Sequence, residues 1–168
     1  GTSNTAVGAY ALDANTTASG NTGLGAYALT TLTTGASNTV VGSGAGFSST
    51  TAASNSILGH NAMYNTTTGG GNVAIGKDAL ISNTEGTDSV AVGYVALGGL
   101  TTGANNTAVG WNAASAAALT GSDNSFVGYQ AGYSATSAAS NNAIGKTALY
   151  SITTGSNNNT IGLSSLYS

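Results

Sequence analysis

Asn4-Thr5-Ala6-Val7-Gly8 sets the architecture of this chain, because the sequence is ten successive versions of that pentapeptide. Its closing glycine returns at Gly8, Gly25, Gly42, Gly59, Gly76, Gly93, Gly110, Gly128, Gly145 and Gly162, always 17 residues on except for 18 between Gly110 and Gly128. A period of this size held from end to end marks a solenoid or fibre rather than a conventional globular core. Residues 1–168 therefore read as one repeat domain.

The informative comparison is between equivalent positions of the ten coils. Immediately before the glycine stand Val7, Leu24, Val41, Leu58, Ile75, Val92, Val109, Val127, Ile144 and Ile161. This column is aliphatic throughout and mostly β-branched, which suits a buried strand position, and we assign it to the structural core. Two residues before the glycine come Ala6, Gly23, Val40, Ile57, Ala74, Ala91, Ala108, Phe126, Ala143 and Thr160, smaller but also apolar. Neighbouring strand residues point to opposite faces, so both faces are largely apolar, and such a strand is ordinarily buried on both sides. A thin coil has one inner face only. The other face, here given to the alanine column, needs a partner, and the economical partner is another copy of the chain.

Alanine repeats three residues after the glycine, from Ala11 to Ala148, and the next column holds Leu12, Leu29, Met63, Leu80, Leu97 and Leu149. Together they predict a second inward-facing strand or turn whose backbone lies close to the first wall. Phe47, Tyr64, Tyr133, Tyr150 and Tyr167 follow one step later and predict ring-on-ring packing between coils. Asparagine heads the motif in every coil but one, where Ser89 replaces it. Asparagine tolerates left-handed backbone, and its amide can bond to the neighbouring coil as a stacked ladder. A second small-residue corner, at positions such as Gly35, Gly69 and Gly103, completes the expected coil. It has two strands and two corners, an all-β parallel β-roll. The extra residue between Ala114 and Gly121 is read as a bulge. Ten coils at ~4.8 Å each would make a rod about 50 Å long.

Charged residues are 4% of the chain and the net charge is -3, with no cysteine and no proline. There is no basic footprint for nucleic acid or an anionic membrane, and no apolar run near the ~20 residues that membrane insertion requires. The strict phase of the apolar residues separates the chain from a disordered one. It begins and ends in phase without a polar cap, which predicts a segment of a longer fibre or a unit that stacks end to end.

The sequence offers little for chemistry. The acids are Asp13, Asp78, Glu85, Asp88 and Asp123, on positions expected to be exposed, and His60 is the one histidine. No catalytic residue, metal ligand or cofactor is assigned, and no enzymatic activity is expected. The column after the glycine is different: His60, Lys77, Tyr94, Trp111, Tyr129 and Lys146 are large, and both lysines fall in it. Tyrosine and tryptophan beside polar groups serve as interface anchors and sugar platforms. The column reads either as a seam between protomers or as a receptor-contacting surface. Thr pairs such as Thr33-Thr34 and Thr67-Thr68 keep an ice-binding solenoid as a minor alternative.

Ser89-Val90-Ala91-Val92-Gly93 resembles the head repeats of trimeric autotransporter adhesins. Asn-Thr-Ala-Val-Gly at 4–8 and 106–110, followed in the first coil by Ala9-Tyr10-Ala11-Leu12, more closely resembles repeats of bacteriophage tail and head fibres. The resemblance covers the whole chain. It implies a left-handed parallel β-solenoid packed as a homotrimer, forming a rigid shaft or decoration on a virion that supports host attachment. Implied partners are sister copies, other virion proteins and a host surface glycan. The alternative is the head of a bacterial surface adhesin, or a self-stacking extracellular filament. No binding residue carries over from either family.

Overall fold

A computed structural model describes residues 1–116 and 118–167. Each coil contributes one three-residue strand: β1 (Thr5–Val7), β2 (Thr22–Leu24), β3 (Thr39–Val41), β4 (Ser56–Leu58), β5 (Val73–Ile75), β6 (Val90–Val92), β7 (Thr107–Val109), β8 (Ser125–Val127), β9 (Asn142–Ile144) and β10 (Asn159–Ile161). They form one ten-stranded parallel sheet in chain order. The fold is thus the expected all-β parallel β-solenoid. Register follows the repeat: Thr5 lies opposite Thr22, and Thr107 opposite Ser125 where the step is one residue longer. The sheet stays continuous because each coil satisfies the next, as in the 2.8 Å bonds from Thr5 N–H to Asn21 O and from Gly25 N–H to Val7 O.

The motif glycine is a steric requirement. All ten have φ between 129° and 151°, a region essentially closed to side chains. A Cβ on Gly8 would also stand 2.6 Å from the carbonyl carbon and oxygen of Gly25. Successive coils touch backbone to backbone at this corner.

Two expectations are corrected. The second wall is not a strand. In every coil the second and fourth residues after the glycine are left-handed, with φ from 48° to 67°, and a chain that is left-handed at alternate residues cannot be extended. Its hydrogen bonds nevertheless run from coil to coil, as from Leu12 N–H to Ala28 O at 3.0 Å. The coil therefore has one β-wall and one wall of stacked turns.

The second correction concerns which strand face is inside. Ala74, Ala91 and Ala108 have no exposed surface, whereas Val7 is 55%, Leu58 51% and Val109 37% exposed. The column Val7, Leu24, Val41, Leu58, Ile75, Val92, Val109, Val127, Ile144 and Ile161 lies on the outer face of the sheet, partly or well exposed along its whole length. The alanine column faces the lumen. The reason is width. The opposite wall already fills the lumen with Leu29, Met63, Leu80 and Leu97, and across from Leu80 and Leu97 the layer is completed by the methyl groups of Ala74 and Ala91. In the eighth coil a larger residue enters where the other wall yields: Phe126 is fully buried, and its ring takes the space a side chain at Gly132 would need.

The asparagine ladder forms as expected and is buried. Asn38 Oδ1 accepts from the backbone N–H of Asn55 at 3.0 Å, while Asn38 Nδ2 donates to Ala52 O at 2.9 Å. Ser89 keeps the chain of contacts going with a hydroxyl, which accepts from Asn106 N–H at 3.1 Å and donates to Thr87 O at 2.9 Å. Left-handed residues precede the ladder in every coil, from Ser3 to Asn157. In the pairs from Thr16-Thr17 to Thr101-Thr102 the first threonine is tied to the next coil, as Thr33 Oγ1 donating to Thr50 O at 3.0 Å; the second, such as Thr34, is exposed. Bonds from Ala116 N–H to Tyr133 O and from Thr101 N–H to Leu119 O bracket the extra residue between Ala116 and Leu119. The expected bulge there involves Ala117, which lies outside the described residues.

Candidate functional site

Three outward features result. The first is the aliphatic column itself. Because β-strands present alternate residues to one face, the outer face of β1–β10 carries this column beside a Thr/Ser/Val/Asn column running from Thr5 to Asn159.

The second is the column after the glycine, which is exposed as expected at His60, Lys77, Tyr94, Trp111, Tyr129 and Lys146. The coil rise stacks its rings. Tyr94 and Trp111 have centroids 5.9 Å apart, and Trp111 and Tyr129 are 5.0 Å apart and within 6° of parallel. Each end of the stack is closed by an ammonium group. Lys77 Nζ lies 5.7 Å from the Tyr94 centroid and Lys146 Nζ 5.6 Å from that of Tyr129, within cation–π range. His60 stands in the same column, and the stack begins two coils further on. Five of the six residues are thus joined in one assembly.

The third feature was not anticipated from the sequence. Tyr27, Ser43, Gly44, Phe47, Asn61 and Tyr64 line a cleft of about 340 Å³ at the corner of the second to fourth coils. It exists because Gly44 occupies a left-handed corner position where the other coils carry Tyr10, Tyr27, Asn61, Asp78, Val95, Asn112, Gln130, Thr147 or Ser164. Ser43 beside it is also small. Phe47 and Tyr64 stack at 4.9 Å and 3°, forming one wall. Tyr27 meets Phe47 at 6.3 Å and a 57° tilt, so the rings open as a wedge. Tyr27 is supported from behind by Tyr10, stacked 5.2 Å away. The signal for the cleft is a glycine in a column of side chains, flanked by aromatic residues one coil either side.

The expected outer-edge aromatics also stack. Tyr133, Tyr150 and Tyr167 form a second ladder with 5.1 and 5.0 Å spacings. Loss of hydration within it, reinforced by Tyr167 and Tyr133, pushes the Tyr150 hydroxyl above the usual tyrosine range.

Asp78 pairs with the adjacent Lys77 at 3.8 Å, and Asp123 accepts from Asn105 Nδ2 at 3.1 Å. Among the described residues no three His, Cys, Asp or Glu side chains are grouped to hold a metal ion, and no helix is long and apolar enough to cross a membrane. No protein-family model, curated protein or solved structure matches the chain.

Proposed function

We propose that the chain is a shaft segment of a structural fibre without enzymatic activity, whose copies associate through the outer aliphatic face. On the resemblance of its repeats, we place it on a bacteriophage virion as a homotrimeric rod that supports host attachment. The observation that carries the reading is the exposed column from Val7 to Ile161. A contiguous apolar stripe of this length is uncommon on a solitary soluble protein and marks an interaction surface. Every coil supplies one member at the same place, so a copy laid alongside meets the same pattern throughout. In a three-fold arrangement the contact between neighbouring copies is heterologous and closes as a ring, with the three stripes turned toward the common axis. The continuous coil-to-coil hydrogen bonding supplies what a rigid spacer needs, since each coil is held at fixed rise by backbone, amide and hydroxyl ladders.

Sedimentation equilibrium of the soluble chain tests the reading. A mass three times the 16.0 kDa of one copy is expected. A stable monomer at micromolar concentration overturns it.

A further inference from the structure

We propose that the cleft over Gly44 is a binding site for a neutral saccharide. This goes beyond the fibre reading and does not rest on it, because the cleft is complete within one chain. Its volume of about 340 Å³ lies at the small end of the range for ligand sites, ~300–1,000 Å³.

The lining selects the chemistry. Three rings, Tyr27, Phe47 and Tyr64, supply the apolar lining; Phe47 and Tyr64 take up one face each in their mutual stack and Tyr27 one against Tyr10, which leaves the faces of Tyr27 and Phe47 that open on the wedge between them. Between them the polar groups are neutral: the Asn61 amide, the Ser43 hydroxyl and the phenolic hydroxyls of Tyr27 and Tyr64. An amide and hydroxyls both donate and accept. A sugar ring has the matching form, an apolar C–H face bordered by hydroxyls that donate and accept. An anionic ligand would find no cation among the lining residues, and Lys77 and Lys146 are engaged over rings elsewhere. A quaternary ammonium ligand is served best by aromatic faces alone; here an amide and hydroxyls share the lining.

The floor is built for occupancy. Gly44 is buried and left-handed, with φ 67°. The Asn61 side-chain oxygen and the Tyr64 ring both lie where a Cβ on Gly44 would project, so the asparagine is aimed over the glycine into the cleft.

The test is saturation-transfer NMR on the full chain with methyl glycosides of glucose, galactose, mannose and N-acetylglucosamine, alongside sialic acid and tetramethylammonium. Transfer to the ring protons of at least one neutral glycoside is expected. Asn61→Gly keeps a residue suited to left-handed backbone and removes the amide; Tyr27→Asn does the same for one ring. Each should weaken the Kd at least tenfold while leaving the sedimentation mass unchanged. Absence of transfer to all four neutral glycosides overturns the proposal, as does affinity retained in both variants. Transfer only to sialic acid or tetramethylammonium also overturns it, and a changed mass in either variant reassigns the cleft to chain–chain contact. A monomeric wild-type mass that still binds a glycoside would sink the fibre reading and leave the saccharide site standing.

Discussion

Phe126 occupies the space that a side chain at Gly132 would need: a Cβ built on Gly132 would lie 2.7 Å from Phe126 Cγ. Both residues belong to the eighth coil and face each other across the lumen. In the fifth and sixth coils the corresponding pairs are Ala74 with Leu80 and Ala91 with Leu97, all fully buried. In this coil the two walls have traded volume relative to the fifth and sixth coils, although Ile57 with Met63 and Ala108 with Ala114, all buried, show that the sum varies along the rod. Phe126→Ala alone should open a cavity and destabilise by about 3–5 kcal/mol. Gly132→Leu alone should overpack the coil and cost about 1–3 kcal/mol or more. The double variant recreates the pair of the fifth and sixth coils, at a position where leucine already accepts φ near 50°. It should recover most of the loss, with a coupling of about 1–3 kcal/mol in a double-mutant cycle by chemical denaturation. Additive effects would contradict the lumen geometry.

The reversed strand faces give a second prediction, opposite to what a core assignment would require. Val109 is 37% exposed on the outer face while Ala108 is fully buried. Val109→Asp should leave the far-ultraviolet circular dichroism of the solenoid intact and reduce self-association, because a charge placed in an apolar contact between copies is strongly unfavourable. Ala108→Asp should instead prevent folding. If Val109→Asp unfolds the chain rather than dissociating it, the outward assignment fails.

The period, the parallel register, the amide ladder and the stacked rings were all legible in the repeat, since each follows from one column read down ten coils. The orientation of the strand was not read correctly. Val7 and its equivalents are more hydrophobic than Ala6 and its equivalents, and hydrophobicity alone put the wrong column inside. Lumen width decided the matter, and it leaves its trace in two pairs across the lumen, Val40 with Gly46 and Phe126 with Gly132, which trade size. The same holds for the buried asparagines. Asn4 and Ala6 are two apart and must share a face, so an inward amide ladder already implies an inward alanine. The second wall was misread as strand because its alternating left-handed residues include Leu12, Tyr27 and Val95, types that ordinarily avoid that conformation. Coil-to-coil bonding holds them there. The Gly44 cleft arises from one missing side chain, which a consensus conceals.

Asn106 tests the amide ladder. It has no exposed surface, its Nδ2 donates to Gly121 O at 2.9 Å, and its Oδ1 accepts from Asn124 N–H at 3.1 Å. Asn106→Ala strands a buried carbonyl and a buried N–H at once, and each costs about 1–3 kcal/mol. The expected loss is about 2–5 kcal/mol in the denaturation midpoint analysis. The reverse change is available at the one coil where serine stands in. Ser89→Asn restores the regular amide and should stabilise by about 1 kcal/mol. A destabilised Ser89→Asn would show that the hydroxyl relay between Asn72 and Asn106 is preferred at that coil.

Within the Tyr133–Tyr150–Tyr167 ladder the Tyr150 hydroxyl is held above the usual tyrosine range. Loss of hydration, then Tyr167 and Tyr133, raise the Tyr150 value in the folded state, so folding favours the protonated, neutral phenol. The corresponding stabilisation is complete below the unfolded tyrosine value, about pH 10, and is lost as pH rises through the higher folded value. Tyrosinate absorbance should therefore show a late component from Tyr150. Tyr150→Phe should abolish that component and keep the stack. It should also flatten the fall in thermal stability above about pH 10, because phenylalanine packs without an ionisable hydroxyl. A late component that persists in Tyr150→Phe would place the shifted group elsewhere on the rod.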